Sequence, residues 1–158
     1  MTDHEGVVAE IRRAVAGAEP EAAQKAICVI LSRLPGYDWV GFYVARPAER
    51  MLVLGPFVGE PTEHVRIPYG KGICGQTAES GRTFVVADVA QQSNYLACSV
   101  KVKSEIVVPV FKDGEFVAEL DIDSHTPGAF TPKDRRMLEE VAALAAGLFQ
   151  GGAGAPRV

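Results

Sequence analysis

At 158 residues the chain is long enough for one domain with a real core and short for two. A hydrophobic content of 47% with 23% charged residues is that of a soluble globular protein, and a net charge of −4 offers no basic footprint for nucleic acid or an anionic membrane. No stretch has the apolar length of a membrane span, Met1-Thr2-Asp3-His4-Glu5 lacks a signal peptide's pattern, and three cysteines without export signal point to a reducing compartment, so a cytoplasmic location is expected.

Val7, Val8, Ile11, Ala14 and Val15 form the stripe of a first helix. Gly17 weakens it, and Pro20 starts a second helix over about Glu21 to Arg33, with Ala22, Ala23, Ala26, Ile27, Ile30 and Leu31 on its apolar side. Cys28, in that crowded segment, reads as an inert core thiol. After the Pro35-Gly36 break, Trp39 to Val44 reads as a strand, with Met51 to Phe57 as its antiparallel partner. A short strand, Val65 to Pro68, precedes the glycine-rich segment Gly70 to Gly75 and a short helix from Gln76 to a stop at Gly81. Phe84 to Val89 reads as another strand, and a polar loop from Gln91 to Tyr95 leads to Cys98.

Ile106 to Phe111 and Glu115 to Ile122 form a hairpin through Lys112-Asp113-Gly114, whose Asp-Gly pair suits a tight turn. Thr131-Pro132-Lys133-Asp134 is a helix start with a cap, a first-position proline and a capping acid; Met137, Leu138, Val141, Leu144, Ala145 and Leu148 continue its apolar face. Residues 1–150 are expected to be one domain and 151–158 a disordered tail. The expected class is α+β: an antiparallel sheet of about six strands, with the N- and C-terminal helices on one face and a ligand pocket on the other.

Four features could carry chemistry. Gly70-x-Gly72-x-x-Gly75 has the spacing of a dinucleotide fingerprint but no βαβ unit around it, so a tight turn bringing Cys74 toward another group is the expectation. Cys74 and Cys98 both stand beside loops and small residues, where a thiol can be reached. Paired metal-ligand spacing is absent, so no metal is expected. Asp121 and Asp123 share one face of a predicted strand, and Glu105 opens the partner strand. They make either a solvated edge or a site for an ammonium group or a shared proton. Trp39 and Tyr43, four apart on one strand face, make either core packing or an aromatic wall over a ligand.

Taken together, Trp39-Val40-Gly41-Phe42-Tyr43, Leu54-Gly55-Pro56-Phe57-Val58-Gly59, Gly70-Lys71-Gly72-Ile73-Cys74-Gly75, Leu96-Ala97-Cys98, Ser104-Glu105-Ile106-Val107-Val108-Pro109 and Leu120-Asp121-Ile122-Asp123-Ser124 resemble the free methionine-(R)-sulfoxide reductases, single-domain enzymes of the GAF fold. The resemblance implies Cys98 as catalytic cysteine and Cys74 as the cysteine that resolves its sulfenic acid to a disulfide. It also implies Glu105, Asp121 and Asp123 as substrate-binding acids, and Trp39 and Tyr43 as the aromatic part of the pocket. It further implies no cofactor beyond an external reductant, thioredoxin, and a homodimer. His64 stands where many members carry a further cysteine, so the disulfide would run directly between Cys74 and Cys98. Acids near Cys98 would suppress its thiolate unless substrate and shared protons neutralise them, cations offset them (Lys101, Lys103 and Arg66 are candidates by sequence proximity only), or a helix N-terminus favours the thiolate. The competing reading is a GAF module that binds a small molecule without catalysis.

Overall fold

The computed structural model describes residues 3–92 and 101–150. Helix α1 (His4–Val15) starts at Asp3, whose side chain accepts a hydrogen bond from the Gly6 amide at 2.9 Å. The chain then turns at Gly17, which has a left-handed φ of +67°. Helix α2 (Pro20–Ser32) has proline in its first turn and the Glu19 carboxylate accepting from the Ala22 amide at 2.9 Å.

Six strands follow: β1 (Trp39–Arg46), β2 (Met51–Val58), β3 (Arg66–Pro68), β4 (Phe84–Val86), β5 (Ser104–Lys112) and β6 (Glu115–Ser124). They form one sheet in the order β3-β2-β1-β6-β5-β4, with every neighbouring pair antiparallel. The β5–β6 hairpin turns at Asp113 and Gly114, both with positive φ (52° and 79°), the conformation in which a two-residue turn matches the twist of the strands. Helix α4 (Pro132–Ala145) begins with the expected reciprocal cap: the Thr131 hydroxyl accepts from the Asp134 amide, and the Asp134 carboxylate accepts from the Thr131 amide at 2.8 Å.

Two elements differ from expectation. Helix α3 (Gly72–Ser80) begins four residues earlier than Gln76, so the glycine-rich segment supplies its first turn. Gly70 and Gly72 have positive φ, and a side chain at Gly75 would put its Cβ 2.6 Å from the Pro68 carbonyl oxygen. These glycines serve a sharp approach and a close backbone contact, which composition alone reads as a loop. Strand β4 stops at Val86, because the Asp88 side chain accepts from the Ala90 amide at 3.0 Å and caps a short 3-10 turn instead.

Alternation along the central strands sorts their residues between two faces. Val40 and Phe42 on β1, Ile106, Val108 and Val110 on β5, and Ala118, Leu120 and Ile122 on β6 pack with residues of α1, α2 and α4 in one large core cluster. Cys28 belongs to it: the thiol is buried, donates to the Pro56 carbonyl at 3.5 Å, and is pushed up to about 12 chiefly by burial, as an inert core thiol should be. The long helices therefore occupy one face of the sheet. A second cluster, containing Trp39, Tyr43, Ile73, Cys74 and Val107, lies on the other face, where α3 packs on β5 and β6. No described helix is long and apolar enough to cross a membrane.

Candidate active site

Strand register assembles the site. Across β1 and β6, Trp39 lies opposite Asp123, Gly41 opposite Asp121, and Tyr43 opposite Glu119. Across β5 and β6, Glu105 lies opposite Asp123, Val107 opposite Asp121, and Pro109 opposite Glu119. Directly opposed residues of an antiparallel ladder point to the same side, so two aromatics and four carboxyls share one surface of the sheet. Gly41 is required at its centre, since a Cβ there would lie 2.5 Å from the Trp39 ring and 2.8 Å from the Phe57 side chain.

The acids are not a solvated edge. Glu105, Glu119, Asp121 and Asp123 are each at most 4% exposed. Helix α3 brings Cys74 onto this surface, and its thiol donates to Asp121 Oδ2 at 3.4 Å. Cys74, Glu105, Asp121, Tyr43, His64 and Lys71 line a common cavity of about 10 Å³, room for roughly one water molecule. A larger groove of about 420 Å³ lies elsewhere, lined by Arg82, Thr83, Phe111, Arg135 and Glu139 among others. It contains no thiol or convergent acids, which the small cavity has.

Burial raises the Asp121 carboxyl above the ordinary range, while hydrogen bonds with Glu105 and Cys74 hold that rise back. Two carboxyls that hydrogen-bond to each other need a proton between them, which makes the pair a proton donor as well as an anion. The Cys74 thiol is pushed well above its usual range, first by burial and then by the charges of Asp121, Glu119 and Glu105. Its place in the first turn of α3 works in the opposite direction. Burial and the acids win, so Cys74 rests as a thiol. The expectation of an easily reached thiol beside a loop is thus corrected: Cys74 is helical and buried, because the glycine turn tucks it under the helix.

Trp39 and Tyr43 stack with ring centroids 6.4 Å apart, and Trp39 stacks on Phe57 at 5.4 Å. Trp39 Nε1 donates to the Glu60 carbonyl at 2.9 Å and the Tyr43 hydroxyl to the His64 carbonyl at 2.8 Å, so both rings tie the strand to the segment that carries His64. Tyr43 lines the cavity; Trp39 and Asp123 lie beside it on the same face. Cys98 falls outside the described residues.

Of the cations expected from sequence proximity, Arg66 is engaged with Glu49 at 3.1 Å, Lys101 with Glu60 at 3.8 Å, and Lys103 is exposed. The basic residues at the cavity are Lys71 and His64 instead. One acid was also missed. Glu119 stands two residues before Asp121 and four before Asp123, and the alternation Glu119-x-Asp121-x-Asp123 was the signal that could have found it. Cys74 Sγ and one carboxylate oxygen each from Glu105 and Asp121 lie within 4.8 Å of one another, a spacing that also suits a small cation.

The GAF domain family matches residues 19–148. A protein of Saccharomyces cerevisiae named free methionine-R-sulfoxide reductase is 39% identical over 109 residues, covering 68% of this chain and 60% of that protein. Its namesake in Escherichia coli is 36% identical over 115 residues, covering 73% of this chain and 68% of that protein. The crystal structure of free methionine-R-sulfoxide reductase from Neisseria meningitidis, in complex with its substrate, superposes with a TM-score of 0.89 at 36% identity, covering 94% of this chain and 92% of that one. A GAF domain with a thiol and carboxyls buried in one pocket is the class of protein these observations define. Within that class the chain belongs to the free methionine-R-sulfoxide reductase family, a family of oxidoreductases.

Proposed function

We propose that the protein reduces free L-methionine-(R)-sulfoxide to methionine, with Cys98 as nucleophile and Cys74 as resolving thiol. The observation that carries the reading is the pocket of Cys74, Glu105 and Asp121, buried on the α3 face of a fold similar to that of a free methionine-R-sulfoxide reductase in complex with its substrate.

The first step is attack of the Cys98 thiolate on the sulfoxide sulfur, while the proton shared between Glu105 and Asp121 passes to the sulfoxide oxygen. Methionine leaves and Cys98 becomes a sulfenic acid. The acids Glu105, Asp121 and Asp123 bind the substrate ammonium, and Trp39 and Tyr43 form the apolar wall. A methionine inside a polypeptide has no such ammonium, which selects the free amino acid. At about 10 Å³ the cavity is smaller than an amino acid, so substrate entry moves its walls apart.

In the second step Cys74 condenses with the Cys98 sulfenic acid, releasing water and forming a disulfide that a dithiol such as thioredoxin reduces. A thiol held protonated beside Asp121 suits this later role better than the first attack. A cytoplasmic homodimer completes the reading.

The test supplies racemic free methionine sulfoxide with a thioredoxin system and follows each epimer. Only the R form should disappear, Cys98→Ser should be inactive, and mass spectrometry after one turnover should find Cys74 joined to Cys98 with Cys28 free. Ligand binding without consumption of the R epimer by reduced, folded protein would replace this reading with a binding-only GAF module.

A further inference from the structure

Glu119 is a fully buried carboxyl that the two-step scheme leaves without a task. Neither of its oxygens has a hydrogen-bond partner of good geometry among the described residues. A buried carboxyl in this condition costs stability and calls for a reason. Its surroundings supply one. Glu119 lies on the same strand face as Asp121, and Cys74 is its neighbour from α3, close enough for each group to influence the other's proton. Thr77, one turn after Cys74 on α3, is also fully buried with its hydroxyl unpartnered among the described residues. The underside of α3 therefore carries two buried polar groups, Glu119 and Thr77, close to Cys74.

We propose that Glu119 is a catalytic acid–base residue for Cys74 during disulfide formation, giving its own proton to the departing hydroxyl and taking the thiol proton in its place. This rests on the assignment of Cys74 as resolving thiol. In the step, the S–H bond of Cys74 breaks and its proton passes to Glu119, which has released its own proton to the sulfenic hydroxyl. The freed electron pair forms the S–S bond to Cys98, and the S–O bond of the sulfenic acid breaks. The hydroxide leaves as water with the proton from Glu119. Cys74 is oxidised, the Cys98 sulfur is reduced, the oxidising equivalents come from the sulfoxide, and Glu119 ends unchanged.

Burial raises the carboxyl of Glu119 and the thiol of Cys74 alike, so at rest each of these neighbours holds its proton. The titratable groups facing Glu119 are Cys74 from α3, Asp121 and Asp123 from β6, Glu105 from β5, Tyr43 from β1, and Tyr69, over whose ring the Arg50 guanidinium lies at 5.2 Å. Asp121, already hydrogen-bonded to Glu105, is committed to the substrate. Glu119 is left for the thiol.

The experiment oxidises reduced protein with one equivalent of hydrogen peroxide, so that it does not depend on the sulfoxide. It follows sulfenic acid by dimedone trapping and disulfide by mass spectrometry, in wild type and Glu119→Gln. The expected result is accumulation of trapped sulfenic acid and disulfide formation about a hundredfold slower near neutral pH. The defect should shrink as alkaline pH ionises Cys74 directly, and Glu119→Asp should restore part of the rate. Disulfide formation in Glu119→Gln at the wild-type rate and with the wild-type pH profile overturns the proposal. So does a defect that is independent of pH, which marks a packing role. Failure to reduce methionine sulfoxide, with the peroxide result intact, overturns the substrate reading alone.

Discussion

Glu119 has a consequence for stability as well as for proton transfer. Burial raises its carboxyl well above the usual value near 4.5, with Cys74 only partly offsetting the rise. Below that value the group is protonated in both folded and unfolded chains and contributes no pH dependence. Above it the unfolded chain ionises while the folded one keeps its proton, so stability falls as pH rises until the folded carboxyl titrates too. The slope is at most about 1.4 kcal/mol per pH unit for one group. Glu119→Gln removes this cost, and chemical denaturation should find the variant more stable than wild type, by a margin that grows as pH rises above the unfolded value near 4.5. A gain in stability beside a loss of disulfide formation separates the chemical role from simple unfolding. An unchanged or shrinking margin would show that the carboxyl is ionised in the fold.

At the scale of elements, β1 works through what it omits. Gly41 gives the Trp39 ring somewhere to lie, directly across from Asp121, and any side chain there meets the ring and Phe57. Gly41→Ala should destabilise the fold by about 1–3 kcal/mol through overpacking and weaken substrate binding more than Trp39→Phe, which keeps a stacked ring; thermal melts and KM for the R epimer measure both. At the far end of the chain, Thr131→Ala removes half of the reciprocal cap of α4 and should cost about 1 kcal/mol with no change in turnover. These elements differ in how far they could be read from the residues. The cap of α4, the Asp113-Gly114 turn and the alternating strands announce themselves, because each is a local pattern with a local cause. The start of α3 does not, because glycines placed for positive φ and for contact with Pro68 look like a loop until the partner backbone is in view. Glu119 and the basic residues Lys71 and His64 were missed for a related reason. Their importance comes from register and from which chain segment crosses the pocket, neither of which is a neighbour relation in sequence.

Across the whole molecule the sheet separates labour. Its helix-covered face holds the large core and Cys28, while the opposite face holds the buried acids and Cys74. Stability and reactivity therefore answer to different sets of residues, and alkylation under native conditions should leave Cys28 unmodified. The proposed disulfide would add a link to the reactive side, closing the chain between positions 74 and 98. On chain-entropy grounds such a closure stabilises by roughly 3 kcal/mol. Calorimetry should find the oxidised protein melting several degrees higher than the reduced one, and the same midpoint in both states would argue against the Cys74–Cys98 pairing. Much of this division was legible, since the expected placement of helices on one face and a pocket on the other holds. The closure of the pocket was not, because burial of Cys74 depends on how α3 seats against β5 and β6.

The tight turn at Asp113 and Gly114 acts as an alignment pin for the active centre. Together with the bulge between Val110 and Phe111, it sets which residue of β6 meets which residue of β5, from Lys112 opposite Glu115 to Ser104 opposite Ser124. Because side chains alternate, a slip of one position would send Leu120 and Ile122 toward the pocket and Glu119, Asp121 and Asp123 into the helix-packed core. A single residue inserted between Asp113 and Gly114, at the exposed tip and far from any reacting atom, should therefore abolish folding and activity together. The same insertion in the loop before α4 should be tolerated. A reductase of this design is as sensitive to the length of one surface turn as to the identity of its thiols.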